Sequence, residues 1–272
     1  MSRIKQVTDN AKLNNRKLLI PYLVSGDPNL ASTLSLMHGL VKAGADIIEL
    51  GIPFSDPSSD GAVIQRGVER ALAKGTQLKD VMSLVRQFRE KDESTPIVLM
   101  GYLNPIEYMG YESFAALAAD SGVDGVLIVD MPPVESGELH GILKSAGIDT
   151  IYLVAPTTRE ARLQSICGLS SGYLYYVSLK GVTGAAISDY GEIEANISRL
   201  RAYTQQPIVV GFGIKDADSA KAMAAIYDGV IIGSALVDKI ALLADQDSQD
   251  NADIVRTTEI IGLARKAIND LI

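Results

Sequence analysis

The stretch IIELGIPFSDPSSDGAVIQRG, Ile47–Gly67, decides how this chain folds. It opens as an apolar run broken by one acid, Glu49, then passes through turn formers that include Asp56 and Asp60. From there a helical pattern, AVIQRGVERALAKG, runs on to Gly75. A strand, a loop and a helix within about thirty residues make one βα unit.

That unit recurs along the chain. Eight apolar, β-branched runs can be picked out: KLLIPYLVSG, DIIELGIP, PIVLMGYL, GVLIVD, DTIYLVAP, GYLYYVSL, PIVVGFG and GVIIGSAL. They are near-continuous, not alternating, as expected of strands covered on both faces. Helical patterns such as NLASTLSLMHGLVKAGA, ESFAALAADSG and PVESGELHGILKSAG lie between them, and Gly44, Gly122 and Gly147 stand where those helices should stop. Strict βα alternation predicts a parallel sheet. Eight units in a chain of 272 residues predict an α/β fold of the (β/α)8 TIM barrel type, one domain over residues 1–272. Extra helices are expected at the N-terminus and, in QLKDVMSLVRQFREKD, after the second unit. A doubly wound sheet is the alternative, but no GxGxxG follows the first strand.

Composition narrows the function. A net charge of −8 offers no basic footprint for nucleic acid or an anionic membrane. No apolar run reaches the ~18–20 residues needed to cross a bilayer. The N-terminal MSRIKQVTDNAKLNNRK lacks the apolar core of a secretory signal, and the single cysteine, Cys167, suits a reducing cytoplasm, the expected location. His38 and His140 lie far apart on predicted helices, so no metal site or Ser-His-Asp system is expected.

In such a barrel the active site forms at the C-terminal ends of the strands, with phosphate often held after strands seven and eight. Strand seven ends at Gly211, Phe212 and Gly213, and strand eight at Gly233 and Ser234 before a helix start. Glycines there let backbone N–H groups approach an anion, and the helix dipole favours it. The loop after strand six, LKGVTGAAISDYG, brings Thr183 and Gly184 and is long enough for a lid. Taken singly, each glycine could equally serve a tight turn. Glu49, near the end of strand two, would there be a buried carboxylate with a raised pKa suited to proton transfer. It could instead face the helices and pair with a lysine or arginine. Asp60 is either a site group or the N-cap of the following helix, and Asp56, before Pro57, reads as a turn residue. Two carboxylates opposite a phosphate seat suit cleavage or isomerisation of a sugar-phosphate-like substrate.

The stretch IELGIPFSDPSSDG resembles the tryptophan synthase alpha chain family, and so, in the family's order, do LIPYLVSGDP, MGYLNPIEYMG, GVLIVDMPPVE, YLVAPTT, YYVSLKGVTGA and VVGFGI. The resemblance implies a lyase with no cofactor of its own, which splits indole-3-glycerol phosphate into indole and glyceraldehyde 3-phosphate by retro-aldol cleavage. Glu49 would protonate indole C3 and help remove the glycerol 3′-hydroxyl proton. Asp60 would hold the indole N–H, and Tyr175 would border Glu49. Thr183 would belong to the lid, while Gly184, Phe212, Gly213, Gly233 and Ser234 would hold the phosphate. Tyr22, Met100, Leu127 and Leu153 would wall the indole. The partner implied is a beta chain carrying pyridoxal phosphate, in an alpha2-beta2 heterotetramer, with indole passed between chains. PFSDPSSDG, SLKGVTGAAISDYG, YLNPIEYMG and DMPPVE would form the partner face. The chain departs from the family at Ser58–Ser59, where an aliphatic and a small residue are usual. At Leu179 some members carry arginine, and at Tyr22, Met100 and Leu153 some carry phenylalanine, leucine and isoleucine.

Overall fold

The computed structural model describes residues 2–177, 190–211, 213–244 and 250–271, with the side chains of 190–194 left aside. Its eight strands are β1 (Leu18–Val24), β2 (Ile48–Gly51), β3 (Ile97–Gly101), β4 (Gly125–Ile128), β5 (Asp149–Val154), β6 (Leu174–Val177), β7 (Ile208–Gly211) and β8 (Gly229–Ile232). They close into a barrel in sequence order, every pair parallel, with β8 returning to β1. Around and across it run α1 (Arg3–Leu13), α2 (Leu30–Lys42), α3 (Ala62–Ala73), α4 (Leu78–Arg89), α5 (Leu103–Met109) and α6 (Tyr111–Ser121). The second half adds α7 (Gly137–Ser145), α8 (Glu160–Leu169), α9 (Tyr190–Arg201), α10 (Ala217–Ile226), α11 (Ser234–Ala241) and α12 (Asn251–Asn269). The expected eightfold βα alternation is therefore present, with α1 at the N-terminus and α4 as the extra helix after the second unit.

Side chains alternate along each strand. Leu19 and Leu23 pack outward with Leu36, Met37 and Leu40 of α2. Leu18, Ile20, Tyr22 and Val24 point inward, where they meet Val98, Leu127, Ile151, Tyr173, Val209 and Ile231. On β2, Ile48 and Leu50 belong to the outer layer and Ile47 to the interior, so the pleat turns Glu49 into the barrel. The fully buried Ile4 of α1 plugs the N-terminal end of the barrel. The fit is close: a methyl added at Gly125 would sit 2.9 Å from Ile4 Cδ1. Burying a side chain of that size contributes roughly 1.5–3 kcal/mol.

The same end is braced by a device used three times. An aspartate just ahead of an even-numbered strand accepts the first free N–H of the odd strand before it, and arginines neutralise it. Asp46 accepts Leu19 N–H at 2.8 Å and pairs with Arg16 and Arg265, each at 2.5 Å. Asp124 accepts Ile97 N–H at 2.8 Å and pairs with Arg89 at 2.7 Å and Arg3 at 3.0 Å. Asp228 accepts Ile208 N–H at 2.7 Å and pairs with Arg201. Buried carboxylates are tolerated when hydrogen-bonded and paired in this way.

One segment differs from its sequence reading. YLNPIEYMG, read as a loop after strand three, contains α5. Pro105 sits in the first turn of that helix, where backbone N–H groups have no intrahelical acceptor and a missing one costs little.

Candidate active site

Glu49 lies in the register of Tyr22 on β1 and Val98 on β3 and is fully buried. Its Oε1 accepts the Tyr173 hydroxyl at 2.5 Å, while Oε2 has no hydrogen-bond partner among the described residues. Burial raises its pKa to about 7, against the opposing pull of the Tyr173 hydrogen bond. No cation forms an ion pair with it among the described residues, so the alternative of a helix-facing glutamate paired with a lysine or arginine does not describe this side chain. A carboxyl group poised near neutrality can give a proton and take one back.

Asp60 arrives on the loop that leaves β2. Asp60 N–H donates to Pro57 O at 3.0 Å, and the Gln65 amide grips Asp60 O at 2.8 Å. The N-cap of α3 is Gly61, with no side-chain cap bond, so Asp60 does not cap the helix. Its carboxylate instead faces the Tyr102 hydroxyl, whose hydrogen bonding works to lower the Asp60 pKa, and that hydroxyl accepts Ser59 N–H at 3.0 Å. Partial burial raises the Asp60 pKa in spite of that bond. Burial pushes the Tyr102 phenol up to about 12, helped by the Asp60 charge. The Tyr102 ring also packs on Phe54 with centroids 5.4 Å apart, which ties the middle of the loop to the end of β3. Asp56 accepts its neighbour Ser55 at 2.6 Å, within the turn.

Two further tyrosines complete the wall. Tyr175 faces inward from β6, paired in register with Leu153 and Val209. It lies across Gly211, where an added methyl would come within 2.1 Å of the phenol oxygen. Tyr22 lies across Gly51, where a methyl would come within 2.3 Å of its oxygen. Both phenols are raised by burial first and then by the charges of Glu49 and Asp60, which places them beside the two carboxylates. Met100 and Leu127 are register partners on β3 and β4, and with Leu153 they belong to the interior cluster.

On the far side of the mouth, Gly213 follows β7 with φ +78, a conformation that strongly favours glycine. Gly233 is the N-cap of α11 and Ser234 its first, exposed residue. The N–H groups of that first turn have no intrahelical acceptor, and the helix dipole adds positive potential there. Thr183, Gly184 and Phe212, like Leu179 in the lid sequence, lie outside the described residues.

Sequence reading missed Tyr173 and Tyr102, the phenols that hold the two carboxylates. A period-two count from Tyr175 puts Tyr173 on the same inward face, a signal that was available. Tyr102 could not be found so, because its partners come from a loop forty residues earlier. Among the described residues, no three side chains of His, Cys, Asp or Glu cluster as metal ligands, and no helix is long and apolar enough to cross a membrane.

Comparison with known proteins adds to this geometry. The family model described as tryptophan synthase alpha chain matches residues 8–265. The tryptophan synthase alpha chain of Thioalkalivibrio sulfidiphilus is 52% identical, over 99% of this chain and 100% of the relative. That of Methylococcus capsulatus is 50% identical, with the same coverage of both chains. Among solved structures, tryptophan synthase subunit alpha from Legionella pneumophila superposes with a TM-score of 0.91 at 42% identity, covering 99% of each chain. A chain of Mycobacterium tuberculosis tryptophan synthase gives 0.85 at 30% identity, over 98% of this chain and 100% of that one. With a matching family model over nearly its full length, close relatives along the whole chain and the same barrel, this chain belongs to the tryptophan synthase alpha chain family.

Proposed function

We propose that the chain is a carbon–carbon lyase that cleaves indole-3-glycerol phosphate to indole and glyceraldehyde 3-phosphate, with Glu49 as the proton-transfer group and Asp60 as the anchor of the indole N–H. The observation that carries this reading is the state of Glu49: fully buried, with its pKa raised to about 7 and, among the described residues, with no ion pair and one oxygen without a partner.

The chemistry follows from that state. In its neutral form Glu49 donates a proton to indole C3, which turns the ring into an electron sink. Asp60, held as an acceptor by Tyr102, stabilises the positive charge that appears at the ring nitrogen. Glu49, now ionised, takes the proton of the 3′-hydroxyl as the bond between C3 and the glycerol carbon breaks. The bond's electron pair returns to the ring and restores indole, and the oxygen left on the glycerol carbon becomes the aldehyde. Tyr22, Met100, Leu127, Leu153 and Tyr175 wall the ring, and Gly213, Gly233 and Ser234 receive the phosphate.

The whole chain, 1–272, is taken as one barrel domain of the cytoplasm that needs no cofactor of its own. Its partner is a beta chain carrying pyridoxal phosphate, in an alpha2-beta2 assembly, to which indole passes. Two bare side chains support a partner face at the mouth: Tyr108 is 95% exposed and Val134 86% exposed. The segments that bear them are tied together by Leu103 N–H donating to the Asp130 carboxylate at 2.8 Å. The test is indole release from indole-3-glycerol phosphate by the purified chain, alone and with a beta chain. Release in either condition supports the reading, and folded protein silent in both would overturn it.

A further inference from the structure

We propose that the Tyr22 hydroxyl is a third polar group of the site, donating a hydrogen bond to the substrate oxygen on the carbon whose bond to the ring is cut. This rests on the substrate reading above and goes beyond it, because there Tyr22 is only an apolar wall.

The placement of the side chain carries the argument. Tyr22 leaves β1 beside Gly233, where an added methyl would lie 3.7 Å from its Cβ and Cδ1. Its ring then runs across the mouth and sets its oxygen on Gly51, one pleat beyond Glu49 on β2. One end of the tyrosine thus stands at the phosphate seat and the other beside the two carboxylates. A substrate with its phosphate at Gly233–Ser234 and its ring between Glu49 and Asp60 must lay its glycerol chain along this ring. The phenol oxygen then falls where glycerol meets indole, at the bond that breaks.

Its chemistry also fits. Tyr22 is 7% exposed as a residue, and no hydrogen bond of its hydroxyl falls among the described residues, although its oxygen is not one of the fully enclosed polar atoms that lack a partner. A hydroxyl with no partner among the described residues is free to turn its proton to a ligand oxygen. Burial and the neighbouring charges hold Tyr22 in its neutral form, so it remains a donor and does not shuttle protons. As Glu49 removes the hydroxyl proton, negative charge gathers on that oxygen before the carbonyl forms. A fixed donor aimed at this oxygen is worth more in the transition state than in the ground state. Tyr22 keeps its proton throughout, and the atoms of the cleavage balance as written above.

The test is Tyr22→Phe in the full chain, with melting temperature compared with wild type to verify folding. Two probes are used: indole release from indole-3-glycerol phosphate, and binding of indole-3-propyl phosphate, which keeps ring and phosphate but lacks both glycerol hydroxyls. The expected result is a roughly tenfold fall in kcat with KM changed less than about twofold, and unchanged affinity for the propyl phosphate. Unchanged kcat would overturn the proposal. So would an equal loss on both probes, which would mark Tyr22 as a packing residue. Wild-type protein that releases no indole would overturn the substrate reading itself, a result distinct from either.

Discussion

The two ends of this barrel handle carboxylates in opposite ways. At the N-terminal end Asp46, Asp124 and Asp228 each accept a strand N–H and each meet at least one arginine. At the C-terminal end, among the described residues, Glu49 meets the Tyr173 phenol and Asp60 the Tyr102 phenol, and neither forms an ion pair. Asp27 stands at the mouth end in sequence, but it is turned toward α3 and clamped by Arg70 at 2.7 Å, so it belongs with the paired group. The lesson is that burial alone does not mark a working acid. A cation pulls a carboxylate toward its charged form, although at Asp27 and Asp124 burial still outweighs that pull, whereas a phenol holds the group in place and brings no compensating charge.

The comparison breaks most visibly if the ends are attacked one at a time. Glu49→Gln keeps the shape and removes the transferable proton. Cleavage should fall by about 10³-fold or more while indole-3-glycerol phosphate still binds, as general acid–base catalysis of this size requires. Steady-state indole release and a direct binding titration measure the two quantities, and retained turnover overturns the role of Glu49. Asp46→Asn should do the reverse. It leaves two arginines facing a neutral amide and should cost roughly 3 kcal/mol of unfolding free energy in denaturant titration, with kcat per folded molecule unchanged. A kinetic defect without loss of stability would sink the division between the ends.

A second pair of effects comes from the Glu49 pKa, raised from 4.5 to about 7 by burial. A group whose folded pKa is raised stabilises the fold below its unfolded pKa, and that contribution is lost as pH climbs to the folded value. Between pH 4.5 and 7, wild type should therefore lose stability relative to Glu49→Gln, which never ionises. The gap should open by about 1–3 kcal/mol, read from denaturation curves at pH 5 and pH 8. A gap that stays constant over that window would mean that Glu49 is charged or neutral throughout.

How far the sequence carried the reading depends on which contacts a local pattern can encode. The barrel was legible because each βα unit announces itself within its own span, and the position of Glu49 followed from strand two. The inward face of Glu49 was not decided by its own run, because IIELG is apolar on both sides and has no polar face to orient it. Asp60 stayed ambiguous for a related reason. An aspartate before Gly61 and a helix looks the same whether it caps that helix or faces the site, and only the approach of Tyr102 from β3 separates the two. α5 was missed because Pro105 reads as a breaker unless its place in the first turn is known.

Tyr102→Phe sharpens the comparison at the mouth itself. It removes the donor to Asp60 and the acceptor of Ser59 N–H, but keeps the ring against Phe54. The Asp60 pKa should rise, since the Tyr102 bond lowers it, and kcat/KM should fall about tenfold, the worth of one hydrogen bond to a charged group. The fall should deepen toward acid pH, where more Asp60 is protonated. A pH–rate profile parallel to wild type would show that Tyr102 only packs.

The smallest effect is expected where the sequence departs from its relatives. The side chains of Ser58 and Ser59 are both exposed, and what Ser59 contributes to the loop is its backbone N–H, donated to Tyr102. Any residue at position 59 except proline supplies that donor. Ser58→Ala and Ser59→Ala should therefore change kcat/KM by less than about twofold, as is usual for exposed positions away from specific contacts. Ser59→Pro, which deletes the N–H, should weaken cleavage at least as much as Tyr102→Phe. If the two alanine variants were as damaging as Ser59→Pro, the hydroxyls would be holding the loop. The bond between Ser59 and Tyr102 could then no longer explain how Asp60 reaches the site.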